Sequence, residues 1–208
     1  MYLFNRTSAV DRNRQLEGFA AAIEVAAMVT AKTELPVSVF GARFGAPLNA
    51  VMWSARYESQ AQMQRVQEQL LADTDYIDWV TTHGPMFEEA ASDRLTKVVS
   101  ATLGAAPKRF YTLLQATAVS GHLGEAMAFG VRAQDTVARL TGLATAFGTE
   151  VYGAMGSVVW ITGADSMAEL DAMVALQETN AEYQALLTEA APLFIAGSGV
   201  TSLIEKLN

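Results

Sequence analysis

Cysteine is missing from all 208 residues. That absence excludes disulfides, thiolate metal ligands and cysteine nucleophiles together, and it agrees with a reducing cytoplasm as the expected location. Positive charge is scarce as well. Fourteen Lys and Arg against 22 Asp and Glu leave a net charge of −8, and the cations are scattered along the chain, so no nucleic-acid partner is expected. Only two histidines are present, His83 and His122. Neither has His-x-x-x-His or Glu-x-x-His spacing or a carboxylate cluster around it, so no metal site is expected. Long apolar runs are lacking too. The N-terminal "MYLFNRTSAVDRNRQ" has no secretory-type core, and the most apolar window, Phe19 to Val29, is far short of the roughly 20 residues that span a bilayer. No membrane span is expected. No Gly-x-Ser-x-Gly stretch supports a Ser-His-Asp site, and the two glycines of "GAMGS" from Gly153 suit a hairpin rather than a phosphate loop. No motif calls for a cofactor.

What the chain does have is apolar substance and a repeated text. Hydrophobic residues make up 51% of it and charged ones 17%, enough to build a sizeable core and too little charge for disorder. Sliding the sequence on itself by 107 positions pairs Leu16 with Leu123, Phe40-Gly41 with Phe147-Gly148, Trp53 with Trp160, Ser59 with Ser166, Tyr76 with Tyr183, Pro85 with Pro192 and Phe87 with Phe194. Coincidences of Trp, Gly and Pro at one offset predict two copies of one unit. The expected domains are residues 1–104 and 108–208.

Each copy reads alike. In the first, "YLFNRTSAV" is β-compatible, and "RNRQLEGFAAAIEVAAMVTAKT" places Leu16, Phe19, Ala20, Ile23, Ala26 and Ala27 at helical spacing. Two β-type runs, "VSVFGARFG" and "LNAVMWSARY", flank a Gly45–Pro47 turn and predict a hairpin. Ser59 with Gln62, and Ser166 with Glu169, are capping boxes that start a helix after each Trp-bearing strand. A further helical stretch and a last strand complete the unit. The order βαββαβ, twice, predicts an α+β fold of two tandem ferredoxin-like units, each an antiparallel four-stranded sheet with helices on one face. Val51, Trp53, Ala55 and Tyr57 share one face of their strand, Ala50, Met52, Ser54 and Arg56 the other. Both faces carry apolar groups, which favours sheet-on-sheet packing.

In "SGHLGEAMAFGVRAQDTVARLTG", "SVVWITGADSMAELDAM" and "NAEYQALLTEAAPLF" the second half resembles the dimeric α+β barrel superfamily, and its NIPSNAP-like branch most closely; the first half matches the same landmarks more loosely. The resemblance implies antiparallel sheets packed as a dimeric α+β barrel, formed by two repeats of one chain or by repeats docked across subunits, and a homo-oligomer. It also implies a range of activities, from cofactor-independent oxygenases, haem enzymes and small-molecule lyases to members with no assigned chemistry.

The candidate residues divide on chemistry. His122 is the natural titrating base near neutral pH, and it also suits a polar lead-in to the following helix. His83, before Gly84-Pro85, suits a helix end. Trp53, Tyr57 and Trp160 could wall a cavity for a small hydrophobic or aromatic ligand, or simply fill a core. Arg43 stands where the second copy has Glu150; it would either pair across the sheets, orient an anionic ligand or face solvent. Three functional readings follow. One is a ligand-binding protein acting as a cofactor-independent oxygenase or isomerase, with His122 as catalytic base and Arg43, Trp53, Tyr57 and Trp160 holding the ligand. Another is a non-catalytic assembly protein without a cavity. The last binds haem through His122 or His83.

Overall fold

The computed structural model describes residues 1–87, 91–104 and 106–208. Among them are eight strands and six α-helices in an α+β arrangement, and the order βαββααβ occurs twice. The chain divides into two compact units.

The first unit comprises Met1–Thr96 and Glu205–Asn208. It contains β1 (Tyr2–Ala9), α1 (Gln15–Thr33), β2 (Val37–Phe44), β3 (Ala50–Tyr57), α2 (Gln60–Leu71), α3 (Thr74–His83) and the start of β4 (Ser92–Thr102). Its strands run in the order β4-β1-β3-β2, the ferredoxin-like order. β1 pairs antiparallel with β3, Arg6 opposite Trp53 and Phe4 opposite Ala55, and β3 pairs with β2 through the expected hairpin. The helices cover the face carrying Val51, Trp53, Ala55 and Tyr57. Trp53 Nε1 donates to the Ala22 carbonyl of α1 at 3.0 Å, and Val10, Ala22, Ala26, Val39 and Val51 form one buried cluster.

Two local findings differ from the sequence reading. The buried stripe of α1 is Gly18, Ala21, Ala22, Val25 and Ala26, while Leu16 is 88% exposed. Alanine is too weakly hydrophobic to fix the phase of a helix by itself, so the larger Val25 and the glycine that lets Val10 approach decide it. In both capping boxes the serine hydroxyl accepts as expected, from Gln62 N at 3.1 Å and from Glu169 N at 3.3 Å. The longer side chain, however, accepts from the residue before the cap, Glu58 N at 2.7 Å and Asp165 N at 2.9 Å.

The second unit, Lys97–Ile204, contains the end of β4, β5 (Phe110–Thr117), α4 (Leu123–Thr141), β6 (Ala144–Tyr152), β7 (Ser157–Ala164), α5 (Met167–Thr179), α6 (Ala181–Ala190) and most of β8 (Val200–Lys206). Its order is β8-β5-β7-β6, with β5 and β6 antiparallel to β7. Gly142 ends α4 at φ 70, where only glycine is at ease; the matching end of α1 puts Glu34 at φ 58. No helix among the described residues is long and apolar enough to cross a membrane.

Candidate functional site

In the first unit the sheet and its helices do not close completely. A cavity of about 460 Å³ remains between β1 and β3 on one side and α1, α2 and α3 on the other. Strand periodicity builds its floor: Phe4, Arg6 and Ser8 alternate along β1, and Trp53, Ala55 and Tyr57 along β3. Helical spacing builds the roof, with Val25, Ala26 and Val29 from α1, Leu70 and Leu71 from α2, and Tyr76, Trp79 and Val80 from α3. The walls are mainly apolar and aromatic. Trp53 meets Phe87 edge-on at 5.4 Å, and Phe4 meets Tyr57 edge-on at 6.4 Å.

Its polar groups are few and mutually close. Arg6 Nε and Nη2 donate to the two carboxylate oxygens of Asp93 at 2.8 Å each, and the guanidinium lies 5.8 Å from the Phe4 ring centroid. The Asp93 hydrogen bond raises the Arg6 pKa above its ordinary value, against the opposing effect of burial, so Arg6 is a permanent cation. It is the one charged side chain among the described lining residues. Burial pushes the Tyr57 phenol up, and the nearby Arg6 offsets this only in part; Tyr57 is therefore a hydrogen-bond donor at neutral pH and not a base. Tyr57 is 6% exposed. Neither its hydroxyl nor that of Tyr76 has a hydrogen-bond partner among the described residues, although both residues line the cavity. Neither hydroxyl is sealed from solvent, so each can donate to a bound acceptor or to water. The cavity therefore offers an apolar slot with two phenols and one ion-paired guanidinium along its lining, the composition of a small-molecule site.

The residues singled out by sequence are dispersed. Trp53 and Tyr57 line the cavity. Trp160 belongs to the second unit, where its Nε1 donates to the Gly130 carbonyl at 3.1 Å and its ring sits among Phe129, Phe147 and Phe194. Arg43 lies outside the cavity lining and is paired with the buried Glu205 through Nε at 2.6 Å; Glu150, the partner weighed from sequence, instead accepts from Ala154 N. His122 caps the start of α4 by position and pairs with Glu125 at 2.9 Å. His83 ends α3, stacks on Trp79 at 4.4 Å between centroids and places Nδ1 3.0 Å from the Trp79 carbonyl oxygen. Neither histidine lines the cavity. Among the described residues no group of three or more His, Asp or Glu is arranged to hold a metal ion.

Arg6, Tyr76 and Trp79 are lining residues that sequence reasoning did not select. The signal for Arg6 was present: a cation at the middle of the alternating set Phe4, Arg6, Ser8, on the strand face that the helices cover. Tyr76, Trp79 and Val80 stand at i, i+3 and i+4 on one short helix, a spacing that aims all three the same way.

No protein-family model matches this sequence, and no curated protein matches it. Solved structures do resemble the fold. A proposed monooxygenase from Lactobacillus acidophilus NCFM aligns over 99% of this chain and 93% of its own, with TM-score 0.71 and 11% identity. Another, from Fusobacterium nucleatum, aligns over 100% and 92% with TM-score 0.76 and 8% identity. An anthrone oxidase-like protein aligns over 100% and 91% with TM-score 0.70 and 12% identity. Likeness at such identities establishes the α+β fold alone and leaves the chemistry to the site itself.

Proposed function

We propose that the first unit's cavity binds a small aromatic molecule and that the protein oxygenates it with dioxygen, without a cofactor. The observation that carries this reading is the 460 Å³ apolar slot whose two phenols and Arg6 are its polar recognition groups. The fold-level likeness to proteins named as monooxygenases or anthrone oxidase-like supports the same class.

The chemistry suits a polycyclic ketone with an acidic CH2 group, of which anthrone is the simplest. Loss of one C–H proton to cavity water places negative charge on the ketone oxygen. The Tyr57 and Tyr76 hydroxyls donate to that oxygen and hold the charge, and Arg6, neutralised by Asp93, adds only a further N–H donor beside it. The enolate gives one electron to dioxygen, and the radical pair joins to form a C–O bond. The resulting peroxide then breaks its O–O bond. The carbon becomes a carbonyl, and the remaining hydrogen and the proton released earlier leave as water with the second oxygen atom. One CH2 and one O2 give one C=O and one H2O. In this role the chain's residues orient the ring system and hold the oxyanion; His122 does not line the cavity, and the proton goes to cavity water.

We further propose that the two βαββααβ units are copies of one NIPSNAP-like ancestor, divided near residues 104–108, and that the protein is a homo-oligomer, which native mass spectrometry reads directly. The function is tested by supplying anthrone and following oxygen uptake and anthraquinone formation. One O2 consumed per anthraquinone, faster than the spontaneous reaction and slowed at least tenfold by Tyr57→Phe together with Tyr76→Phe, is the expected result. A rate no greater than that in buffer refutes the oxygenase reading.

A further inference from the structure

Arg6 cannot act as a free cation toward a ligand, because Asp93 already holds it. The contact is bidentate, Nε to Oδ1 and Nη2 to Oδ2, both at 2.8 Å. Asp93 is not among the described lining residues. Three features follow from that geometry. The guanidinium plane is fixed by two parallel hydrogen bonds. Its remaining terminal nitrogen, Nη1, has no partner among the described residues. And the only charge among the described lining residues is balanced one for one by a carboxylate within contact distance of it.

A ligand arriving as an anion would therefore meet a cation whose charge is already neutralised. The three groups would sum to one uncompensated negative charge, and the anion would leave its hydration behind in an apolar slot. A neutral ligand with one acceptor oxygen meets no such opposition, and Nη1 and the phenols are available to that oxygen. We propose that Asp93 makes the cavity selective for uncharged aromatic phenols and ketones and against aromatic carboxylates, acting through Arg6 as a positioning residue. This rests on the ligand-binding reading above and narrows its substrate class: ionisation happens on the protein, not before binding.

The test is calorimetric titration of the full chain at pH 7 with two probes of the same ring size, 2-naphthol, uncharged at that pH, and 2-naphthoate, an anion. The wild type is expected to bind 2-naphthol at least tenfold more tightly than 2-naphthoate. Asp93→Asn, which keeps a hydrogen-bonding side chain beside Arg6, should strengthen 2-naphthoate binding roughly tenfold while moving 2-naphthol less than threefold, the size expected on removing one nearby like charge in a partly solvated site. Arg6→Gln, which leaves Asp93 uncompensated, should abolish 2-naphthoate binding. A merely structural role for Asp93 would weaken both probes equally. Equal wild-type affinity for the two probes overturns the selectivity even if neither variant folds, and so does an unchanged ratio in a folded Asp93→Asn. Failure of both probes to bind the wild type overturns the ligand-binding reading beneath it.

Discussion

Filling the cavity should stabilise the protein and at the same time disable it. Ala55 is the position of choice: it is 5% exposed, lies on β3 between Phe4 and Val37 of the neighbouring strands, and all three side chains line the cavity. Ala55→Leu adds three carbons that project into existing space. Each buried methylene contributes about 0.8 kcal/mol, so the gross gain is near 2.4 kcal/mol. Ordering a leucine side chain costs about 0.5–1 kcal/mol, and its outer methyls remain in contact with cavity water. The net gain is therefore about 1–1.5 kcal/mol, or an upward Tm shift of roughly 3–5 °C for a chain of this length. The space is ample, since at about 30 Å³ per liquid water the cavity holds roughly 15 waters. Thermal unfolding by circular dichroism and calorimetric titration with 2-naphthol provide the two readouts. A higher Tm with weakened binding is the joint signature expected. A lower Tm, from a stability loss of about 1–3 kcal/mol, would be the mark of an overpacked core, and it would refute the existence of usable space beside Ala55. Unchanged 2-naphthol binding would show that the ligand goes elsewhere.

The two tryptophans should differ in what their loss costs. Trp160→Ala strips contacts from three phenylalanine rings and should cost about 4–5 kcal/mol, whereas Trp53→Ala, with one flank already on the cavity, should cost about 3 kcal/mol by chemical denaturation; the reverse order would contradict the assignment of the open space. Glu34 pays for its left-handed conformation at φ 58, so Glu34→Gly should stabilise by about 0.5–1 kcal/mol, net of the entropy glycine brings to the unfolded chain, and a loss of stability would show that the side chain does something the backbone geometry does not reveal. Asp73 caps α3 by accepting from Tyr76 N at 2.9 Å and from Lys32 at 2.7 Å. The Lys32 hydrogen bond, with help from the Tyr76 amide, holds its pKa below the usual carboxylate range. A depressed folded-state pKa contributes stability above the unfolded pKa and loses it as pH falls through the folded one. The Tm difference between wild type and Asp73→Asn should therefore be constant from pH 7 to about 5 and shrink as the solution is taken below the ordinary aspartate range; a gap that persists at pH 2 would mean that the ionised carboxylate contributes nothing.

Element order and boundaries were legible in the sequence because they rest on strong local signals. The paired capping boxes, the hairpin turns and the alternation on the Trp-bearing strands each have one physical interpretation. The phase of α1 was not legible, because a helix of alanines presents several nearly equal apolar faces and tertiary packing selects among them. Nor was the site, for a related reason. Tyr57 was selected as an aromatic on the inner face of its strand, but a cavity is a property of what surrounding side chains fail to fill, and that is written in volumes from many separate elements. The selection of His122 followed from its ordinary pKa range alone; position places it beside Glu125 at a helix start, where a polar residue is at home without chemistry. Arg43 was chosen by its difference from the aligned Glu150. The contrast was real, but its explanation is the Glu205 pair within the same unit.

Contrast between the units is nevertheless the right tool once register replaces sequence offset. Opposite Trp53 on the neighbouring strand stands Arg6; opposite Trp160 stands Leu114. Tyr57 ends β3 in the first unit, and Ala164, fully buried, ends β7 in the second. Over Trp53 the helix offers Ala21 and Ala22, while over Trp160 it offers Phe129, with Phe147 pressed against Gly130 so closely that a Cβ there would collide with the ring. Each tryptophan donates its N–H to a carbonyl of the covering helix, so the feature the halves share is the one that fastens helix to sheet. The features they do not share decide whether the space beneath the helix is filled by phenylalanine or left open beside a cation and a phenol. Fastening tolerates either outcome, because the tryptophan's hydrogen bond and edge contacts are complete in both. A reading that assigns function to the repeated tryptophans therefore credits the scaffold, and chemistry is to be sought where the scaffold was kept and the filling removed.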